Sequence, residues 1–227
     1  MKTMIESTQP SFASSLGCGH PGEPVIARLA ARPGILRTPT ARLTLFQMRD
    51  FLSPALCLAF IGKIDSQRRR STVSDYNGDD FFRTSETCDI DATDPLSQEI
   101  DAMIEDLTGL DRRHGEPLQG QRYAVGQEFK QHTDYFEPSG VDYDRFCGEH
   151  GQRTWTVMIY LNEPAAGGGT RFKAIDKIIQ PETGKLLAWN NRRADGTPNP
   201  STLHAGMKVR VGTKYVLTKW FRERPWR

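Results

Sequence analysis

The chain has 227 residues, 37% of them apolar and 26% charged, with a formal net charge of +2. That length suits one large domain, or one domain with an extension, and supplies enough apolar material for a core. So small a charge gives no footing for nucleic acid, no apolar run reaches the length of a membrane span, and Cys18, Cys57, Cys88 and Cys147 stand too far apart for a zinc site.

Residues 1–40 are rich in Ser, Gly, Pro and Ala, show no sustained period and lack an apolar secretory stretch. They read as a poorly ordered extension, with the folded domain over 41–227. A chain with no export signal is expected in the cytoplasm with its thiols reduced. Weak alternation over 43–46 predicts a first strand. Ser53 before Pro54 marks a helix start, and Leu56, Phe60 and Ile64 carry it for about three turns to the basic Arg68-Arg69-Arg70. Asp94-Pro95 repeats the signature; Leu96, Ile100, Met103, Ile104 and Leu107 then make one apolar face, and Gly109 sits where a helix stops. Neither helix carries chemistry, and both are expected to lay their apolar stripe on a sheet.

From Leu118 the pattern changes to short β-type segments at 118–125, 128–134, 153–161, 169–173, 184–189, 201–204, 207–211 and 214–222, punctuated by Gly and Pro. Helices first and strands afterwards predict an α+β protein with a sandwich or jelly roll, its helices buttressing one sheet. The insert 135–152, with Pro138-Ser139-Gly140, is the natural place for a mobile loop.

That insert follows His132-Thr133-Asp134. On an extended strand residues i and i+2 share a face, so an imidazole and a carboxylate can converge on one ion. Two histidines and one carboxylate form the facial triad of non-heme Fe(II) oxygenases, which leaves coordination positions open. The same pair also fits a surface strand with solvated side chains, so a third ligand must be found. Of the remaining histidines, His20, His114 and His150 fall in polar or irregular stretches, and His204 alone stands on a β-type segment. Ten residues on, alternation through K-Y-V-L-T-K-W-F-R puts Lys214 on one face and Lys219 on the other. Whichever face is inside therefore carries a lysine, and a buried lysine needs an anion. Lys214 either begins the strand in solvent or binds a carboxylate inside.

The run from about Leu43 to Arg222 resembles the prolyl 4-hydroxylase-like branch of the Fe(II)/2-oxoglutarate-dependent dioxygenases. The matching segments are R-T-S at 83–85, Y-A-V-G-Q-E-F-K-Q-H-T-D at 123–134, G-Q-R-T-W-T-V-M-I-Y-L-N at 151–162 and G-G-G-T-R-F at 167–172. They continue with G-K-L-L-A-W-N-N at 184–191 and L-H-A-G followed by G-T-K-Y-V-L-T-K-W-F-R within 203–222. Order and spacing hold together, which makes the match far more specific than H-x-D alone.

The resemblance implies a double-stranded β-helix core, with His132, Asp134 and His204 as iron ligands. It implies that Lys214 binds 2-oxoglutarate, with Tyr123 and Thr170 as hydrogen-bond partners. Arg153 and Trp220 match positions that face a peptide substrate in relatives, Arg83 belongs to a segment that closes over it, and Phe129 is a further substrate-facing position. The expected reaction consumes 2-oxoglutarate and O2, with ascorbate as a reductant, and hydroxylates a C–H bond, releasing succinate and CO2. The favoured substrate is a prolyl residue in a peptide or protein. A free amino acid or other small molecule is the alternative, and a non-catalytic metal- or 2-oxoglutarate-binding jelly roll is another. Three departures stand out. Phe129 occupies a position that is usually Tyr, Phe172-Lys173 replaces a common Phe-Pro, and Asn199 stands where Asp is frequent. Alternation from His132 puts Phe129 on the opposite face from the ligands unless a bulge intervenes.

Overall fold

The computed structural model describes residues 22–72 and 82–226. Its helices and strands run in chain order α1 Glu23–Ala31, β1 Ile35–Arg37, β2 Leu45–Met48, α2 Pro54–Gln67, β3 Arg69–Arg70, β4 Glu86–Ile90, α3 Pro95–Thr108, β5 Leu118–Tyr123 and β6 Phe129–His132. They continue with α4 Tyr143–Cys147, β7 Arg153–Tyr160, β8 Ala166–Gly167, β9 Thr170–Phe172, β10 Lys177–Ile179, β11 Leu186–Asn190, β12 His204–Gly206, β13 Val209–Val211 and β14 Lys214–Arg222.

Both helix starts read from the sequence are present. The Ser53 hydroxyl accepts from the Leu56 amide at 3.3 Å, and the Asp94 carboxylate accepts from the Leu96 amide at 3.0 Å. Such caps are each worth about 1 kcal/mol, and proline at the next position sacrifices no hydrogen bond. α3 ends at Gly109, whose φ of 74° is the left-handed conformation that glycine adopts without a Cβ clash.

The strands form an antiparallel eight-stranded sheet in the order β1-β2-β11-β7-β14-β5-β4-β3 and a four-stranded sheet β10-β9-β12-β6, with β13 pairing β8. The large sheet is apolar on both sides. One face joins Leu29, Phe60, Ile64, Ile100 and Ile104 of the helices to Trp155, Val157, Ile159, Leu217 and Phe221. The other joins Met158, Tyr160, Trp189 and Val216 to Phe172 and Ile179 of the small sheet. The second half of β7, 157–160, therefore reads as an unbroken apolar run with no alternation to announce its faces. Gly120 in β5 is required by close approach: a Cβ there would lie 2.4 Å from Ile64 of α2. The result is an α+β fold with two facing antiparallel sheets.

Several expectations need correction. Residues 22–40, expected within a poorly ordered extension, carry α1 and β1; Leu29 is fully buried and β1 pairs with β2. Residues 1–21, the rest of that extension, lie outside the described residues. Segment 201–204 is not a strand: a 3-10 turn spans Pro200–Thr202, and pairing begins only at His204. Strands β1, β3, β4, β8 and β10 and helix α4 were not foreseen. All are short, and Glu86–Ile90 reads E-T-C-D-I, too polar to stand out until its neighbour buries it. The insert 135–152 is not a free loop either, because α4 and a set of contacts to the end of the chain organise it.

Candidate active site

The small sheet places the histidines by register. His204 opens β12 directly opposite His132, which closes β6, and their rings stand 4.3 Å apart. Asp134 lies two residues beyond the end of β6, so the strand is shorter than the expected 128–134. His132, Asp134 and His204 each offer one ligand atom, all within 4.8 Å of one another.

The neighbours prepare these donors. His132 Nδ1 is 2.8 Å from the Lys130 carbonyl oxygen, and His204 Nδ1 is 2.9 Å from that of Thr202. A carbonyl can only accept, so each Nδ1 carries a hydrogen, and Nε2 is the nitrogen left to face a metal. Burial, reinforced by the neighbouring His204, pushes the His132 ring down to about 3, so it is neutral and ligand-competent at ordinary pH. Burial would raise the Asp134 carboxyl, but His204, His132, Arg153 and a hydrogen bond from Thr156 hold it below the usual range. The Thr156 hydroxyl donates to Asp134 Oδ2 at 2.7 Å and accepts from Asn191 Nδ2 at 2.9 Å. Asn191→Thr156→Asp134 is thus a directed chain that fixes the carboxylate, and sequence reasoning missed it. Two imidazoles and one carboxylate, with no thiolate, are a donor set that fits Fe(II).

The large sheet supplies the opposite wall. Lys214 opens β14 opposite Tyr123 at the end of β5. It is 2% exposed, its Nζ lies 5.0 Å and 5.4 Å from the centres of the Tyr123 and Tyr160 rings, and no carboxylate pairs with it among the described residues. Burial alone drives its ammonium down to about 7. The solvent-exposed reading of Lys214 is excluded. Lys214, Val216, Thr218 and Trp220 all line the pocket that holds His132, Asp134 and His204, together with Tyr123, Thr170 and Phe129. The alternate residue Lys219 is also buried, but on the helix side, where its Nζ lies 2.7 Å from Asp101 Oδ1. Both faces of β14 carry a buried lysine, and among the described residues only Lys219 has a carboxylate partner. Tyr123 donates to Gln121 Oε1 at 2.7 Å, and Thr170 accepts from Tyr160 at 2.6 Å, so both expected partners sit in the pocket with defined orientations.

His132 and Asp134 also line a wider cleft of about 740 Å³ that contains Arg83, Phe129, Arg153 and Trp220. Arg153 is gripped by Glu116 through two 2.7 Å hydrogen bonds and lies 4.0 Å from the Trp220 ring centre. Glu116 was another omission; it has no neighbouring motif in the chain and meets Arg153 only through the sheet. Arg83 donates to Ser85, Thr87 and Gln119 and stacks 4.9 Å over the Phe129 ring. Phe129 lies parallel to His132 at 3.5 Å. Simple alternation puts these two on opposite faces, but Phe129 pairs with Gly206 and His132 with His204, so four residues face three. That bulge turns Phe129 toward the ligands.

Residues 118–222 match the model of the 2OG-Fe(II) oxygenase superfamily. Prolyl 4-hydroxylase subunit alpha-1 of Rattus norvegicus is 37% identical over 131 residues, 58% of this chain and 24% of that protein. The chain thus spans about a quarter of that relative's length. The probable prolyl 4-hydroxylase 10 of Arabidopsis thaliana is 32% identical over 197 residues, 76% of this chain and 66% of that one. Among solved structures, the viral collagen prolyl hydroxylase of Paramecium Bursaria Chlorella virus-1, in its 2OG complex, has the same fold. Its TM-score is 0.60 at 23% identity, covering 78% of this chain and 95% of that one. The superfamily match encloses all three donors and Lys214, and the relatives agree with one another. Over residues 118–222, then, the chain matches the 2OG-Fe(II) oxygenase superfamily, and it is similar to the prolyl 4-hydroxylase-like branch within it.

Proposed function

We propose that this chain hydroxylates a prolyl residue of a peptide or protein, using Fe(II), 2-oxoglutarate and O2 and releasing succinate and CO2. The observation that carries the reading is the facing of His132, Asp134 and His204 by Lys214, an internal ammonium with no carboxylate partner among the described residues. In this reading His132, Asp134 and His204 hold the metal. Iron bound there supplies the redox chemistry that couples decarboxylation of 2-oxoglutarate to oxidation of a C–H bond.

The chain's own residues bind, orient and exclude water. Lys214 neutralises the far carboxylate of 2-oxoglutarate, with Tyr123 and Thr170 beside it. The Asn191–Thr156 chain keeps the second oxygen of Asp134 engaged, so the carboxylate presents one oxygen to the metal. Arg83, Phe129, Arg153 and Trp220 make the seat for the peptide, Glu116 keeping the Arg153 guanidinium flat against Trp220. A seat of planar cations and rings suits an extended peptide with a proline ring to bury. The related proteins whose names specify prolyl or collagen prolyl hydroxylation favour the same substrate.

We read the catalytic unit as 41–227, a double-stranded β-helix with α2 and α3 as buttresses, and α1 and β1 packed onto it. The buried free thiols of Cys57, Cys88 and Cys147 suit a reducing, cytoplasmic setting, and no described helix is long and apolar enough to cross a membrane. Ascorbate is the expected reductant. The test is mass spectrometry of proline-rich peptides incubated with the iron-loaded protein and 2-oxoglutarate. A gain of one oxygen on proline, matched by succinate, is the expected result. Succinate formed without a peptide product would move the substrate to a free amino acid or other small molecule. No succinate with any candidate would leave a non-catalytic binding module.

A further inference from the structure

The wall of the wider cleft includes Phe136, Asp142, Arg145 and Phe146, all from the segment between Asp134 and β7. Inside that segment the backbone–backbone hydrogen bonds are short-range turns, such as the Tyr143 amide to the Gly140 carbonyl and the Phe146 amide to that of Asp142. α4 has five residues, too few to be stable alone, and its terminal carbonyls need donors from elsewhere. Residues 222–226, at and beyond the end of β14, provide them. Arg224 donates through Nε to the Glu149 carbonyl at 2.7 Å and through Nη2 to those of Cys147 at 3.0 Å and Gly148 at 2.7 Å. Its own amide donates to the His150 carbonyl at 3.0 Å. Four successive carbonyls are thus satisfied by one residue.

The neighbours of Arg224 extend the grip. Arg222 donates to the Phe146 carbonyl, and its guanidinium lies 5.0 Å from the Phe136 ring centre. Glu223 accepts from the Gln152 amide at 2.9 Å, while Gln152 brackets the Phe136 backbone with hydrogen bonds of 2.8 and 2.7 Å. His150 donates to the Pro225 carbonyl at 2.8 Å, and its ring packs on Trp226 at 4.4 Å. Trp226 in turn donates its amide to the Arg113 carbonyl at 2.7 Å. Phe136 and Phe146, held from behind in this way, stack parallel at 5.0 Å and face the cleft.

We propose that residues 222–226 are the positioning latch of the substrate cleft, with Arg224 as its central residue. Arg224 touches neither the metal donors nor the Lys214 pocket and acts only through the backbone of 147–150. The latch sets affinity for the macromolecular substrate while leaving the metal and 2-oxoglutarate end alone. Its effect on peptide rests on the reading of the cleft given above, but its effect on the wall does not.

The test compares full-length wild type with Arg224→Ala, Arg224→Lys and Trp226→Ala by amide hydrogen exchange and by steady-state kinetics. In Arg224→Ala, exchange over 136–150 and the KM for peptide should each rise about tenfold, with kcat and the KM for 2-oxoglutarate within about twofold of wild type. Arg224→Lys should lie between, because one ammonium cannot reach three carbonyls in a fixed fork. Trp226→Ala serves if Arg224→Ala does not fold, with the same expected separation. Unchanged exchange over 136–150 overturns the latch. So does a rise in the KM for 2-oxoglutarate equal to that for peptide, which would mean general loosening. If wild type turns over no prolyl peptide, the functional reading fails, and exchange confined to 136–150 still decides for or against the latch.

Discussion

In the proposed reading Lys214 concentrates the chemistry of the co-substrate end in one side chain. Replacing it by Ala would strand a bound carboxylate at a cost of roughly 3–5 kcal/mol, so the KM for 2-oxoglutarate should rise by about two to three orders of magnitude. Metal affinity should change far less; an unchanged KM for 2-oxoglutarate would refute the pairing. The pH dependence has a definite sign. The folded ligand-free protein holds Lys214 at about 7 against 10.5 for an ordinary lysine, so between those values the unfolded chain binds the extra proton. The Lys214 contribution is therefore destabilising below about 7 and is relieved as pH rises through the window. A bound carboxylate restores the ammonium, so 2-oxoglutarate should raise the thermal midpoint most near or below pH 7 and progressively less above it. Midpoints with and without 2-oxoglutarate across pH check this. At Phe129, stacked on His132, a tyrosine hydroxyl would add a hydrogen bond at the cleft, worth roughly 0.5–1.5 kcal/mol. Phe129→Tyr should speed prolyl-peptide turnover several-fold and leave peptide-independent succinate release unchanged, both read by succinate assay. Identical peptide kinetics would count against a substrate role for this position.

β14 is the element on which both halves of the molecule depend. Its nine residues are all buried, with Lys214, Val216, Thr218 and Trp220 toward the pocket and Leu217, Lys219 and Phe221 toward the helices. The Lys219–Asp101 pair, 1% and 5% exposed, ties β14 to α3. Removing one partner leaves a buried charge, so Lys219→Met should cost roughly 3–5 kcal/mol of stability by denaturant unfolding. The double variant Lys219→Met with Asp101→Leu should recover most of that loss, because apolar replacements need no counterion. A double variant as unstable as the single one would mean that the ion pair itself, not the stranded charge, sets the cost.

Across the whole molecule, the site joins two sheets; of the three candidate metal donors His132 and His204 sit on two strands of the smaller one, and Asp134 just beyond the end of β6. A metal that binds only the folded arrangement stabilises it by mass action, by about 2.7 kcal/mol when free metal is about 100 times its Kd. Fe(II) under anaerobic conditions should therefore raise the thermal midpoint of wild type, and chelation should reverse the rise. His132→Ala, Asp134→Ala and His204→Ala should each lose both this shift and turnover. Near-native activity in any one of them would remove that residue from the set. Thr156→Val, which leaves Asp134 without its orienting donor, should weaken metal binding by about 10–100-fold while the fold persists.

What the chain itself determined was local or covalently spaced. Ser53-Pro54, Asp94-Pro95 and Gly109 mark helix ends because capping uses neighbours in sequence. The H-x-D pair, His204 and Lys214 were legible because their residue types and order are unusual enough to match a family. The remainder awaited the tertiary structure. Only the pairing of β12 with β6 decides that His204 faces His132, and only its bulge turns Phe129 onto the ligand face. Which lysine of β14 lines the pocket and which meets Asp101 was undecidable from alternation, because both faces are buried. Glu116, Thr156 and Asn191 carried no local signal, since each meets its partner across strands far apart in the chain. Residues 22–40 looked structureless for a related reason: the core that buries Leu29 is supplied almost wholly by later segments.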